Sequence, residues 1–195
     1  MYYIPKSHQY PYWVEVPTYN MYSYLLWLNS QMSNTNKNTP RANKQIYKPG
    51  FKRPATELKD YGPNPFVIDI DDATNQNDTF RTVLWTGENL QVTLMSIDVG
   101  DDIGLEIHPE GDQFIRIEEG QGLVKMGDSE DSLDFQRKIS DDYAIMIPAG
   151  KWHNVINTGD KPLKLYAIYA PPEHPRDTVH KTKADSEAAE HNNRY

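Results

Sequence analysis

Residues 104–122 read GLEIHPEGDQFIRIEEGQG, and this stretch decides the fold. Alternate residues of a strand leave opposite faces, so Glu106 and His108 share one face. The PEGD segment that follows forms a tight turn, after which Gln113, Ile115 and Ile117 point to one side of the next strand. Such a hairpin sets Gln113 opposite Glu106 and His108, near enough to share a ligand, while Asp112 sits in the turn or faces away. A surface hairpin has no need of this pattern, whereas a ligand site inside a small β-barrel does.

Outward from this hairpin the texture is uniform. FVIDI (66–70), LQVTLMSIDV (90–99), LEIH (105–108), QFIRIEE (113–119), LVKMG (123–127), AIMIP (144–148), HNVIN (153–157) and LKLYAIY (163–169) all read as short strands. VGDD, PEGD, EGQG, GDSED, PAGK and NTGDKP supply the turns between them. Short strands at near-regular spacing predict an all-β fold, a single antiparallel barrel or sandwich. PAGK aims His153 back into that barrel, on the same strand face as Val155 and Asn157.

The first 63 residues differ. Seven of the 13 tyrosines lie within residues 1–24, and Pro5, Pro11 and Pro17 break any regular element. Met21, Leu25, Leu28 and Met32 fall at helical spacing behind Asn20, which predicts one short helix over 20–32. The sequence therefore divides into an irregular arm with its helix and linker (1–63), a barrel (64–172) and a charged tail (173–195) that ends in a short helix or frays.

Composition excludes several function classes. Lys plus Arg total 20 against 28 Asp plus Glu, a formal charge of -8, and no basic stripe is visible, which argues against nucleic acid. With no cysteine there are no disulfides, thiolate metal sites or cysteine nucleophile, and a reducing cytosol fits. The N-terminus lacks a signal-peptide pattern, and no apolar run approaches the ~20 residues of a membrane span. A cytoplasmic protein is expected, with spore association as the other location considered.

The spacing of the polar residues resembles the cupin family. The first cupin motif, G-x5-H-x-H-x4-E-x6-G, is matched in spacing by Gly100, Glu106, His108, Gln113 and Gly120. The second, G-x5-P-x-G-x2-H-x3-N, is matched by Asp142, Pro148, Gly150, His153 and Asn157. The likeness covers about residues 66–172 and implies a jelly-roll barrel (a double-stranded β-helix) of the small, single-domain bacterial kind, often a homodimer. The family's four metal positions fall on Glu106, His108, Gln113 and His153, where Glu106 replaces a histidine and Gln113 a glutamate. Two histidines and one carboxylate resemble the set that holds Fe(II) with open positions, and Fe, Mn, Zn and Ni are all compatible. The alternative is a degenerate pocket in which His108 and His153 are satisfied by hydrogen bonds alone.

The resemblance implies a metalloenzyme acting on a small polar molecule, by O₂-dependent oxidation or by isomerisation of a sugar or sugar phosphate. Glu106 would be the general base of an isomerase if it is not a ligand. A non-catalytic cupin, binding or structural in the manner of a spore-coat or surface-layer protein, is the alternative that the tyrosine-rich arm supports. Arg81 and Trp85, in FRTVLWTG, are candidates for the barrel mouth, and Arg81 suits a carboxylate or phosphate. Tyr166 is a candidate to project inward from the last strand. His174 and His180, following that strand, read as surface or subunit-contact residues.

Overall fold

The structure, a computed structural model, describes residues 55–192. The chain divides into two units, Met1–Arg53 and Pro54–Tyr195, and every described residue belongs to the second. The helix expected over 20–32 lies outside the described residues.

Alternation of apolar side chains builds the strands in the expected way. In chain order they are β1 (Arg81–Thr86), β2 (Gln91–Ile97), β3 (Asp112–Glu119), β4 (Gln121–Gly127) and β5 (Phe135–Ser140). Then follow β6 (Ala144–Ile147), β7 (Trp152–Asn157), β8 (Leu163–Ala170) and β9 (Val179–His180). Two helices accompany them, α1 (Ile70–Gln76) and α2 (Lys183–Asn192). One sheet runs β6-β3-β8-β2-β1-β9 and the other β5-β4-β7, with every pairing antiparallel. The fold is a cupin-like jelly roll of two sheets rather than one closed ring of strands.

Register explains the core. Opposite one another on β3 and β8 stand Gln113 and Tyr169, Ile115 and Ala167, then Ile117 and Leu165. β2 continues the same inward rows from the other side of β8, with Thr93 opposite Ala167 and Met95 opposite Leu165. Val124 of β4 and Val155 of β7 close over these rows from the facing sheet, all of them buried. Each large apolar side chain removed from water this way contributes about 1.5–3 kcal/mol.

Three expected features come out differently. FVIDI is not a strand: Asp69 accepts the Asp72 N–H as an N-cap, and Asp71 and Asp72 fill the first turn of α1. Acidic groups there complement the helix dipole, which overrides the β-branched run. LEIH forms no ladder and is held by a single bridge, Glu106 against His153. β1, β5 and β9 lie where no strand was expected; β5 buries only Ile139, with Phe135 exposed and polar residues between them, so it carries too little apolar alternation to read.

The charged C-terminal stretch supplies β9 and α2. Lys183 bridges to Asp101 and Asp102 at 2.9 and 2.8 Å, and Arg81 donates from Nη1 to Ser186 Oγ at 2.6 Å. On the outer face of the large sheet, buried Lys164 donates to Asn77 O and Asp78 Oδ1, which ties β8 to the end of α1. Among the described residues no helix is long and apolar enough to cross a membrane.

Left-handed backbone occurs at several turns, among them those at Gly120 and Asp142. Gly120, between β3 and β4, has φ +101°, and a Cβ there would sit 3.0 Å from Pro162 O. Asp142 stands where the cupin motif has glycine and still adopts φ +71°. Its N–H donates to Ile117 O and its carboxylate receives Arg116 Nη2, so local bonds offset a conformation most side chains avoid. Gly120→Ala is expected to lose about 1–3 kcal/mol of stability, read as a lower urea midpoint at unchanged slope.

Candidate metal centre

The site begins with backbone. Glu106 N–H donates to His153 O at 3.0 Å and His153 N–H to Glu106 O at 2.9 Å. Residues that exchange both bonds face one another directly with side chains on the same side. His108, two residues on, is fixed in turn by Gly150 N–H donating to its carbonyl at 2.8 Å. The extended 105–108 segment thus needs no ladder of its own to place Glu106 and His108 beside His153.

The side chains then converge. Glu106 Oε1 lies 3.1 Å from His153 Nε2 and 3.3 Å from His108 Nε2. Ligand atoms of all three lie within 4.8 Å of one another, with His153 fully buried and Glu106 and His108 nearly so. The far nitrogens are also held: His153 Nδ1 is 2.9 Å from Lys151 O, and His108 Nδ1 is 3.4 Å from Glu173 Oε1. A carbonyl only accepts, so Nδ1 of His153 carries a hydrogen and Nε2 is the nitrogen that can face a metal; Glu173 favours the same arrangement for His108. Two imidazole lone pairs and a carboxylate oxygen aimed at one point suit a cation. This donor set fits a divalent metal of the Fe, Mn, Zn or Ni class.

Electrostatics without a metal show the same convergence. Burial pushes the Glu106 carboxyl up, but the hydrogen bonds from His108 and His153, then the charge of Arg81, hold it well below the usual carboxylate range. Burial pulls His108 down, but Glu106 and Glu173 more than offset this and raise it to about 9. Without a metal, the His108 Nε2 proton stands where an ion would sit.

The other expected residues sort clearly. Gln113 points into the same interior from β3, 3 % exposed, and its buried Oε1 has no hydrogen-bond partner, which suits a neutral fourth donor. Arg81 is not at the mouth: it is 1 % exposed, inside the roll, with its charge acting on Glu106. Trp85 faces the opposite side, bonded through Nε1 to Asn64 O and lining an outer groove with Phe66, Ile68 and Leu84. A bulge between Val83 and Trp85 separates these two residues of β1. Tyr166 also faces outward, packed with Leu84, Leu94 and Ala73 under α1. Three residues on, and so of opposite parity, Tyr169 takes the inward position. The acidic group Asp69, Asp71 and Asp72 is exposed and belongs to the start of α1.

Sequence reasoning missed three residues here. Tyr169 sits edge-on to His108 with ring centroids 5.4 Å apart, and its parity with Leu165 and Ala167 was the signal that reveals it. Glu173 reaches His108 from the loop after β8, for which no periodicity speaks. His174 is not the surface residue expected: its ring lies 5.0 Å from Tyr169, edge-on, and its Nε2 is buried. Burial, then the charge of Arg81, lowers it to about 3, so it stays neutral.

Known proteins share this arrangement of elements. The family model for the cupin domain matches residues 93–169. YrkC of Bacillus subtilis (strain 168) is 55% identical over 195 residues, covering 97% of this chain and all of its own. Protein L612 of Acanthamoeba polyphaga mimivirus is 39% identical over 111 residues, 56% of this chain and 68% of its own. The crystal structure of BH2720 from Bacillus halodurans superposes with a TM-score of 0.67 at 65% identity, covering 67% of this chain and 99% of that one.

The shifts set a pH dependence for the metal-free protein. His108 is raised from 6.5 to about 9 in the fold, so its contribution is complete below about pH 6.5 and lost as pH rises through 9. Glu106 is lowered, so its contribution is present above its ordinary 4.5 and lost as pH falls. In EDTA, Tm is expected to fall between pH 7 and 9.5, and His108→Gln should flatten that limb in a calorimetric pH series.

Proposed function

The chain belongs to the cupin family, and on that premise we propose that it is a metal-dependent enzyme acting on a small polar molecule. One divalent ion is held by Glu106, His108 and His153, with Gln113 as a neutral fourth donor. The observation that carries this reading is the convergence of both histidine Nε2 atoms on one Glu106 oxygen while both Nδ1 atoms are held from behind. A bound ion of this class supplies a Lewis acid with open coordination positions.

The chain's own residues supply the rest. Lys151 O and Glu173 fix the imidazole tautomers, and second-sphere partners of this kind are worth about 10–100-fold in metal affinity. Ile115 and Ile147, buried beneath Gln113 on neighbouring strands, keep the floor of the site dry. Of the two chemistries, O₂-dependent oxidation is favoured over isomerisation. Isomerisation needs a free carboxylate base, and in this reading Glu106 is itself a metal ligand.

Metal analysis of the purified protein tests the reading. About one equivalent of a transition metal per chain is expected, with His108→Ala and His153→Ala each reducing bound metal below a tenth of that. Glu173→Gln is expected to weaken Co(II) affinity by about 10–100-fold while leaving the fold intact by circular dichroism. Wild-type protein that takes up no Co(II), judged by visible absorption, overturns the proposal and leaves the non-catalytic cupin.

A further inference from the structure

We infer that the interior beside His108 holds a pocket for a small monocarboxylate, bounded by Thr93, Tyr169 and His174 under the charge of Arg81. This names the substrate class of the proposed metal site and rests on that reading.

Five buried side-chain atoms of this interior have no completed hydrogen bond: Thr93 Oγ1, His108 Nδ1, Gln113 Oε1, Tyr169 Oη and His174 Nε2. Buried polar atoms are almost always satisfied, and each that is not costs about 1–3 kcal/mol. Their clustering is therefore informative. Tyr169 connects them: it is the cross-strand neighbour of Gln113, and its ring meets His108 on one side and His174 on the other. Thr93, on β2, lies on the same inward face, diagonal to Tyr169. The two hydroxyls stand close enough to interact, yet neither completes a well-aligned hydrogen bond, so both keep capacity for an acceptor.

The chemistry of the lining selects the ligand. Two hydroxyls and one neutral imidazole offer donors, and the buried Arg81 guanidinium biases the pocket toward negative charge. Charge counting limits that ligand to a monoanion. A divalent ion and Arg81 together exceed Glu106 and Glu173 by one positive charge. Arg81 and His174 both lie outside the stretch matched by the cupin model.

Thermal shift with Co(II)-loaded protein tests the inference, using acetate and pyruvate with acetamide and inorganic phosphate as controls. The carboxylates are expected to raise Tm at millimolar concentration, acetamide is not, and phosphate less than either carboxylate. Tyr169→Phe and Thr93→Val should each weaken carboxylate binding at least about tenfold while leaving ligand-free Tm unchanged or higher, because an unsatisfied hydroxyl has been removed. Three outcomes overturn the pocket: no carboxylate effect in cobalt-bearing protein, undiminished binding in both variants, or a lower ligand-free Tm in both. A chain that takes up no cobalt instead overturns the metal reading, and the same series on metal-free protein then decides the pocket by the same outcomes.

Discussion

Two reciprocal backbone hydrogen bonds between Glu106 and His153 hold the site together. The 105–108 segment contributes no strand, and its approach to β7 follows on from the Asp102–Ile156 bridge and the Ile103 N–H to Val155 O bond just before it. With the bridge made, Glu106 and His153 face the same way, His108 follows two residues later, and the Gly150 N–H locks it. A carboxylate can stand where the family has a histidine because the position is defined by the bridge, not by the ring.

The barrel was legible because inward residues on β2, β3, β7 and β8 keep strict period two, and turns with glycine or proline separate them. The motif spacing then placed Glu106, His108 and His153 together before any coordinates. Elsewhere the same reasoning failed for identifiable reasons. Local capping at Asp69 beat the strand propensity of FVIDI. Tyr166, a candidate for the interior, differs in parity from Leu165 and Ala167, and its outward position follows from that count alone. Arg81 was placed at the mouth because a buried arginine gives no sequence signal; its depth depends on Ser186, which is 105 residues away. Glu173 and His174 belong to an aperiodic loop whose path is set by tertiary contacts, including the reciprocal bonds between Gln91 and His174.

Those long-range contacts define a second tier around the site. Gln91 at the start of β2 pins the loop after β8, Arg81 reaches α2, and Lys183 of α2 returns to Asp101 and Asp102 just before the Glu106 segment. The circuit closes around the ligands without touching them. Burial of Arg81 within this circuit costs desolvation, which a local negative charge such as Glu106 partly offsets.

The loop after β8 has one further consequence. The ligand-bearing strands lie within the stretch shared across the cupin family, whereas Glu173, His174 and α2 lie beyond it. The site is thus built from a matched core and a collar that lies beyond it. Glu173 and His174 border the Glu106, His108 and His153 site from beyond the matched stretch, so changes after residue 170 can alter what reaches that site without touching those three residues.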